Sequence, residues 1–292
     1  MKNKIIGIFI CMLFTTTIVS ATNLNLNENI QMTTSEVDVP LWKIGDSWTY
    51  NEKYEEISYN KNGDISYHWF RNCTTTYIVT ADTGNSYTLK VSSNNYEGGL
   101  KYCLLRMKFT RFMKFIEELE CRKTDLGYIS EYHQEKGLAF LSLRDIKLSI
   151  PTQYNQIYDA LFTPASIYLP FPFTVGENGI IPSCSETGHE KTGLYWGLIN
   201  FIDSDFNSNY PAQDYNCEMA QITVPIGTYN AYNISIDEHF GSLHNYSWIY
   251  YVPEIGYYVK WVEHWEASGF FPIRDFKCEL VSTTHKPSIS QL

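Results

Sequence analysis

The sequence predicts a mainly β chain built as one antiparallel sheet with one or two short helices, and three observations predict it. Aromatic residues make up 16% of the 292, with 23 Tyr, while charged residues reach only 18%. That balance suits pleated, half-buried surfaces and excludes an extended disordered chain. Apolar and polar residues alternate with period two along much of the chain. Turn signals separate the alternating runs at Lys61-Asn62-Gly63-Asp64, Asp82-Thr83-Gly84-Asn85 and Pro253-Glu254-Ile255-Gly256.

Ahead of the first strand, Lys2 and Lys4 precede an apolar run from Ile5 to Phe14, and Val19-Ser20-Ala21 sets small residues where a signal peptidase cuts. Residues 1–21 therefore predict a cleaved secretory signal. The apolar run is about half the ~20 residues a spanning helix needs, and no later run approaches that length. A transmembrane segment is thus not expected in the mature chain. Residues 22–39, rich in Asn, Thr and Glu, read as a disordered tether, 40–285 as a single β-rich domain and 286–292 as a tail. A secreted or cell-surface location follows. Six cysteines remain after cleavage, Cys73, Cys103, Cys121, Cys184, Cys217 and Cys278, and an even count in an exported chain predicts disulfides. The sequons at Asn72, Asn233 and Asn245 predict glycosylation.

Trp48-Thr49-Tyr50, His68 to Thr80 and Ser86 to Val91 read as successive strands of a meander, with Trp69, Cys73, Tyr77 and Val79 on one face of the second. Between Lys101 and Arg122 the apolar spacing fits either a helix or a hairpin. The hairpin is preferred, because one register sets Cys103 opposite Cys121, the expected disulfide, and Leu105 opposite Leu119. Thr152 to Phe162 reads as a helix, with Thr152 as cap and Tyr154, Ile157, Tyr158 and Leu161 along one face. From Glu218 strands return, and Ser247–Val252 with Tyr257–Trp265 make the clearest hairpin, its second strand turning Trp261 and Trp265 to one face. Trp42-Lys43-Ile44-Gly45-Asp46-Ser47 and Phe173-Thr174-Val175-Gly176-Glu177-Asn178 share an order of aromatic, polar, aliphatic, Gly, acid, polar, which predicts two similar hooks leading into the sheet.

Three segments, Trp42 to Tyr50, Val224-Pro225-Ile226-Gly227-Thr228-Tyr229 and Trp248 to Gly256, resemble exported β-rich proteins similar to the lipoprotein-carrier (LolA and LppX-like) half-barrels. The resemblance covers roughly thirty residues at the two ends of the mature chain and consists of turns, so it brings no site residues with it. It implies a strongly curved sheet wrapping an apolar cavity under short helices, a half-barrel that holds a lipid or another apolar small molecule. Residues 98–216 depart from that pattern.

The formal net charge of −10 makes nucleic acid an unfavourable partner. Asp203, Asp205, Asn207, Asn209 and Asp214 stand at positions 1, 3, 5, 7 and 12 of a calcium loop, the one cofactor the sequence suggests, although an Asx-rich surface turn explains the same residues. His239, His244 and His264 with Glu263 or Glu266 offer zinc-ligand chemistry, but partly exposed histidines on a mixed sheet face account for them equally. G-x-S-x-G, H-E-x-x-H and Gly-rich phosphate loops are all missing, so the expected function is non-enzymatic binding. Trp48, Trp69, Tyr77, Trp261 and Trp265, inward on strands at both ends of the chain, are the expected walls of an apolar ligand site. A carbohydrate- or protein-binding surface module, or a structural envelope protein, are the alternatives.

Overall fold

The structure, a computed structural model, describes residues 36–101, 105–143, 149–194, 199–240, 243–267 and 273–286. The expected signal, residues 22–35 of the tether, Cys103 and the tail beyond residue 286 lie outside the described residues.

Fifteen strands follow in chain order: β1 (Ser47–Tyr59), β2 (Ile65–Asp82), β3 (Ser86–Lys101), β4 (Leu105–Phe109), β5 (Lys114–Arg122), β6 (Tyr128–Leu143), β7 (Ser149–Ser166), β8 (Asn178–Ile181), β9 (Cys184–Leu194), β10 (Ile199–Tyr210), β11 (Gln213–Val224), β12 (Gly227–Phe240), β13 (Leu243–Val252), β14 (Tyr257–Ala267) and β15 (Ile273–Thr283). They make one antiparallel sheet in the order β10-β9-β7-β6-β4-β3-β2-β1-β15-β14-β13-β12-β11-β8, with β5 lying beside β4 between β3 and β6. Among the described residues there is no helix.

The sheet curls. The Tyr128 hydroxyl of β6 meets the Tyr257 hydroxyl of β14 at 3.0 Å, although five strand positions lie between them and a flat sheet would hold them about 29 Å apart. The segment joining β7 to β8 runs across the inside, where Tyr168 packs on Trp261 at 5.2 Å, Phe171 on Tyr251 at 5.1 Å and Phe173 on Tyr232 at 5.6 Å. Val37, expected in the tether, is buried and pairs with Phe173 through a 2.8 Å backbone hydrogen bond.

Inward residues change character along each strand. In β1 Trp48 and Tyr50 are buried in the core while Glu52, Tyr54 and Glu56 further along face a hollow. The same change runs from Tyr77 to Arg71 and Trp69 in β2. In β14 it runs from Tyr257 to Trp261, Glu263 and Trp265. The outer face is mixed: Asn51, Lys53 and Glu55 of β1 and Lys260 of β14 are polar or charged, while Ile78 of β2, Tyr132 and Phe140 of β6 and Leu161 of β7 stand exposed.

The floor is aromatic. Trp42 and Trp48 pack at a tilt with ring centroids 5.1 Å apart, each 5.2 Å from Tyr257, and their indole N–H groups donate to the Gly256 and Ile255 carbonyls at 2.8 Å. Tyr50 donates to the Tyr258 carbonyl at 2.7 Å. Trp48 also stacks on His285, whose Nδ1 lies 2.7 Å from the Asp46 carboxylate and ties the chain's last described turn to the first hook.

The two hooks match bond for bond. Lys43 N–H donates to the Asp46 carboxylate, as Thr174 N–H does to Glu177, both at 2.8 Å. Gly45 N–H donates to the Val79 carbonyl at 2.9 Å and Gly176 N–H to the Cys217 carbonyl at 2.8 Å. Val79 N–H then returns to Asp46 and Cys217 N–H to Glu177. The short sequence repeat thus encodes a real structural repeat, starting one run of strands at β1 and another at β8.

Thr152–Phe162, expected as a helix, lies inside β7. Tyr154 and Tyr158 satisfy helical and alternating spacing alike. The pairing of β7 with both β6 and β9 decides for the strand, leaving Leu161 57% exposed. The expected hairpin between Lys101 and Arg122 also fails. β4 and β5 do not pair with each other but form one interrupted strand, because β3 and β6 supply long continuous partners and only Thr110–Met113 bulges out. Cys121 accordingly faces Tyr87 and Tyr128 across the sheet, not a cysteine. Cys73, Cys121, Cys184, Cys217 and Cys278 are all buried and unpaired, and burial pushes the Cys73 and Cys217 thiols up to about 11.

A thiol reagent should therefore react slowly with the native protein and recover at least these five thiols after unfolding without reductant. Recovery of two or fewer would restore the disulfide framework. Gly45 and Gly176 adopt φ of +94° and +83° with open space around the missing Cβ, so Gly→Ala at either hook should cost about 1–2 kcal/mol from backbone strain alone. Denaturant unfolding checks this, and a neutral effect at both would remove the hooks as conformational anchors.

Candidate functional site

Above the floor the concave face encloses a main hollow of about 880 Å³ and a side chamber of about 270 Å³, and Glu131 and Tyr158 line both. Aromatic rings form much of the main hollow, among them Tyr54, Trp69, Phe115, Tyr154 and Phe276. Between them stand carboxylates, Glu52, Glu117, Glu131, Glu135 and Glu190, with Arg71, Arg274 and His133. Strand alternation places these groups: Glu131, His133 and Glu135 are inward neighbours on β6, and β5 contributes Phe115 and Glu117 beside them.

The side chamber is lined by Glu131, Glu186, Glu238 and Glu263 with Trp261, Trp265 and Tyr168, and no Lys, Arg or His is among its described walls. Glu186 comes from β9 and Glu238 from β12, ten strand steps apart in the sheet. Only the curl brings them together.

Burial dominates the electrostatics. Withdrawal from water raises the Glu263 carboxyl to about 7. Glu117 and Glu131 hydrogen-bond each other; burial first and the neighbouring carboxylate second push Glu117 well above the usual range, and burial brings Glu131 to about 7. Two like charges this close cannot both ionise cheaply, so the pair shares a proton. Burial also raises Glu52 and Glu135, opposed by Arg71, whose guanidinium lies over Phe115 at 5.0 Å. His133 is held at about 4 by burial and then by Arg71, so it is neutral at pH 7.

Four of the five expected wall residues face these spaces, Trp69 and Tyr77 in the main hollow and Trp261 and Trp265 in the chamber. Trp48 does not. It is 0% exposed, and its indole is spent on the Ile255 carbonyl, so it belongs to the floor. The wall is also not apolar as expected, since glutamates share the inward positions with the aromatics.

The expected calcium loop is a strand edge. Asp203, Asp205, Asn207 and Asn209 lie on β10, paired to β9, and Asp214 lies on β11. Extended backbone separates Asp203 from Asn209 by about 20 Å, too far for one cation. Asp203 instead meets Lys191 at 2.9 Å and His189 at 3.1 Å. His264 meets Asp275 at 2.6 Å and His244 meets Asp237, while the His239 side chain lies outside the described residues. Of the sequons, Asn72 and Asn233 are half-buried, but Asn245 is only 5% exposed and donates through Nδ2 to Glu238, which leaves its nitrogen no room for a glycan.

Sequence reasoning missed the glutamates. Their signal was present as acids at inward positions of alternating strands, for example Trp261-Val262-Glu263-His264-Trp265.

No family model matches the chain, and no curated protein does. Among solved structures, the translocator domain of autotransporter NalP from Neisseria meningitidis is similar at 7% identity and a TM-score of 0.38, over 82% of this chain and 89% of that one. A likeness at that level carries no weight for the site.

The raised glutamates set a pH dependence. Glu131 and Glu263 hold their protons up to about 7 when folded, whereas an unfolded glutamate titrates near 4.3. Folding takes up protons between these values, so this contribution to stability is full below about 4.3 and is lost as pH rises through 7. The melting temperature should fall from about pH 5 to 8, most steeply near 6, against a smaller opposite contribution from His133, which is neutral when folded but takes up a proton below about 6.5 when unfolded. Glu263→Gln should flatten the fall; an unchanged slope would mean that Glu263 titrates normally.

Proposed function

We propose that the chain is an exported, non-enzymatic binding protein that holds a small amphipathic organic ligand inside its curled sheet, in the manner of a half-barrel carrier. The single observation that carries this reading is the main hollow, about 880 Å³, a concave space walled by aromatic rings interleaved with carboxylates, Arg71, Arg274 and His133, with room for a small organic molecule. Rings such as Trp69, Tyr154 and Phe276 suit the apolar body of the ligand, and the glutamates suit a polar head. The leader-like residues 1–21 support export, to a secreted or cell-surface location. On this reading a wholly apolar ligand, expected from sequence, fits less well than one with a hydrogen-bonding head, because it would leave buried carboxyls facing hydrocarbon.

Intrinsic Trp fluorescence during titration with fatty acids, isoprenoid lipids, alkylamines and oligosaccharides tests the reading. A saturable change is expected for a chain-bearing amphiphile. Trp69→Phe and Trp261→Phe should weaken binding several-fold while Trp48→Phe lowers stability and leaves affinity alone. A response to sugars alone, or to none of these ligands, would refute the carrier reading.

A further inference from the structure

The side chamber holds an imbalance of hydrogen-bonding groups. Its acceptors are the carboxyls of Glu131, Glu186, Glu238 and Glu263, and several of its donors are already engaged: Tyr210 O–H on Glu186 at 2.6 Å, Gln213 on Glu238 at 2.7 Å, Trp261 N–H on Ser247 at 2.9 Å and Trp265 N–H on Glu263. A second, independent observation comes from Asn245. It lines the chamber, is 95% buried by its 5% exposure, and gives its Nδ2 to Glu238 at 3.4 Å. Its Oδ1 is left with no hydrogen-bond partner. A buried amide oxygen without a donor is costly, and in the wall of a chamber it is a point that a donor from a ligand would stabilise.

We propose that this chamber is the docking site for a primary ammonium group, so that the ligand of the hollow is an amine with an apolar body. This deepens the carrier reading and rests on it. An ammonium brings three donors and a positive charge to a space whose described walls offer acceptors and no cation. The rings of Trp261 and Trp265 flank the same space and add cation–π attraction for a desolvated ammonium. A bare metal ion suits the chamber less well, because no three His, Cys, Asp or Glu side chains converge to ligand distance among the described residues. The shared residues Glu131 and Tyr158 join the chamber to the main hollow, where the apolar body of such an amine would lie.

The test compares n-octylammonium, 1-octanol and octanoate at pH 8 by calorimetry and Trp fluorescence, three ligands with one chain and different heads. Octylammonium should bind about tenfold or more tightly than octanol, and octanoate more weakly than either. Glu263→Gln and Asn245→Ala should each cut octylammonium affinity about fivefold and leave octanol within about twofold. If Glu263→Gln does not fold, Glu186→Gln takes its place, with a melt confirming each variant. Equal binding of alcohol and amine, or preference for octanoate, overturns the ammonium site and leaves the carrier reading standing. No binding by these three while the wider lipid panel binds does the same. Silence from both panels removes the carrier reading itself.

Discussion

Burying Trp42, Trp48 and Tyr50 obliges their N–H and O–H groups to find acceptors inside the protein, because an unmet buried donor costs about 1–3 kcal/mol. The acceptors are backbone carbonyls at the β13–β14 turn, those of Ile255, Gly256 and Tyr258. That constraint holds the turn down on the start of β1 and fixes one end of the concave face as a closed aromatic floor. Asp46 and His285 fasten the same corner from the first hook and the last described turn. With the floor set, the opposite ends of the long strands have too few rings to fill the curl, and a hollow remains.

The hollow is where the sequence accepts a cost. Glu117, Glu131 and Glu263 would be more comfortable in water, and their raised proton affinities record that loss. A core built for stability alone would set Leu or Phe at these inward positions. Carboxyls in their place weaken the empty protein and create a demand that a cationic or donor-rich guest can meet. On the proposed carrier reading, stability and affinity are coupled through the same side chains.

The two hooks show how a local motif becomes architecture. Each closes a short ring through an acid and a left-handed glycine, then bonds to the neighbouring strand at equivalent registers, Ser47 opposite Ile78 and Asn178 opposite Asn216. The second run of strands ends in β15, which pairs with β1, so the two runs merge into one sheet. A break in either hook would loosen the strand it starts.

The sequence by itself determined the class of structure. Its aromatic alternation, turn residues and paired hooks are short-range signals, because a strand's faces and a turn's φ angles depend on neighbours in the chain. The inward face of β2, with Cys73, Tyr77 and Val79 buried, was legible in the same way. Only the tertiary structure decided which long strands pair. The spacing of Tyr154 and Tyr158 admits helix and strand alike, and flanking β6 and β9 settle it. Cys121 met a different partner because β4 and β5 continue one strand. The site was decided there too. Glu186 and Glu238 are distant in sequence and in the strand order, and it is the curl of the sheet, set by burial of the aromatic floor, that makes them walls of one chamber.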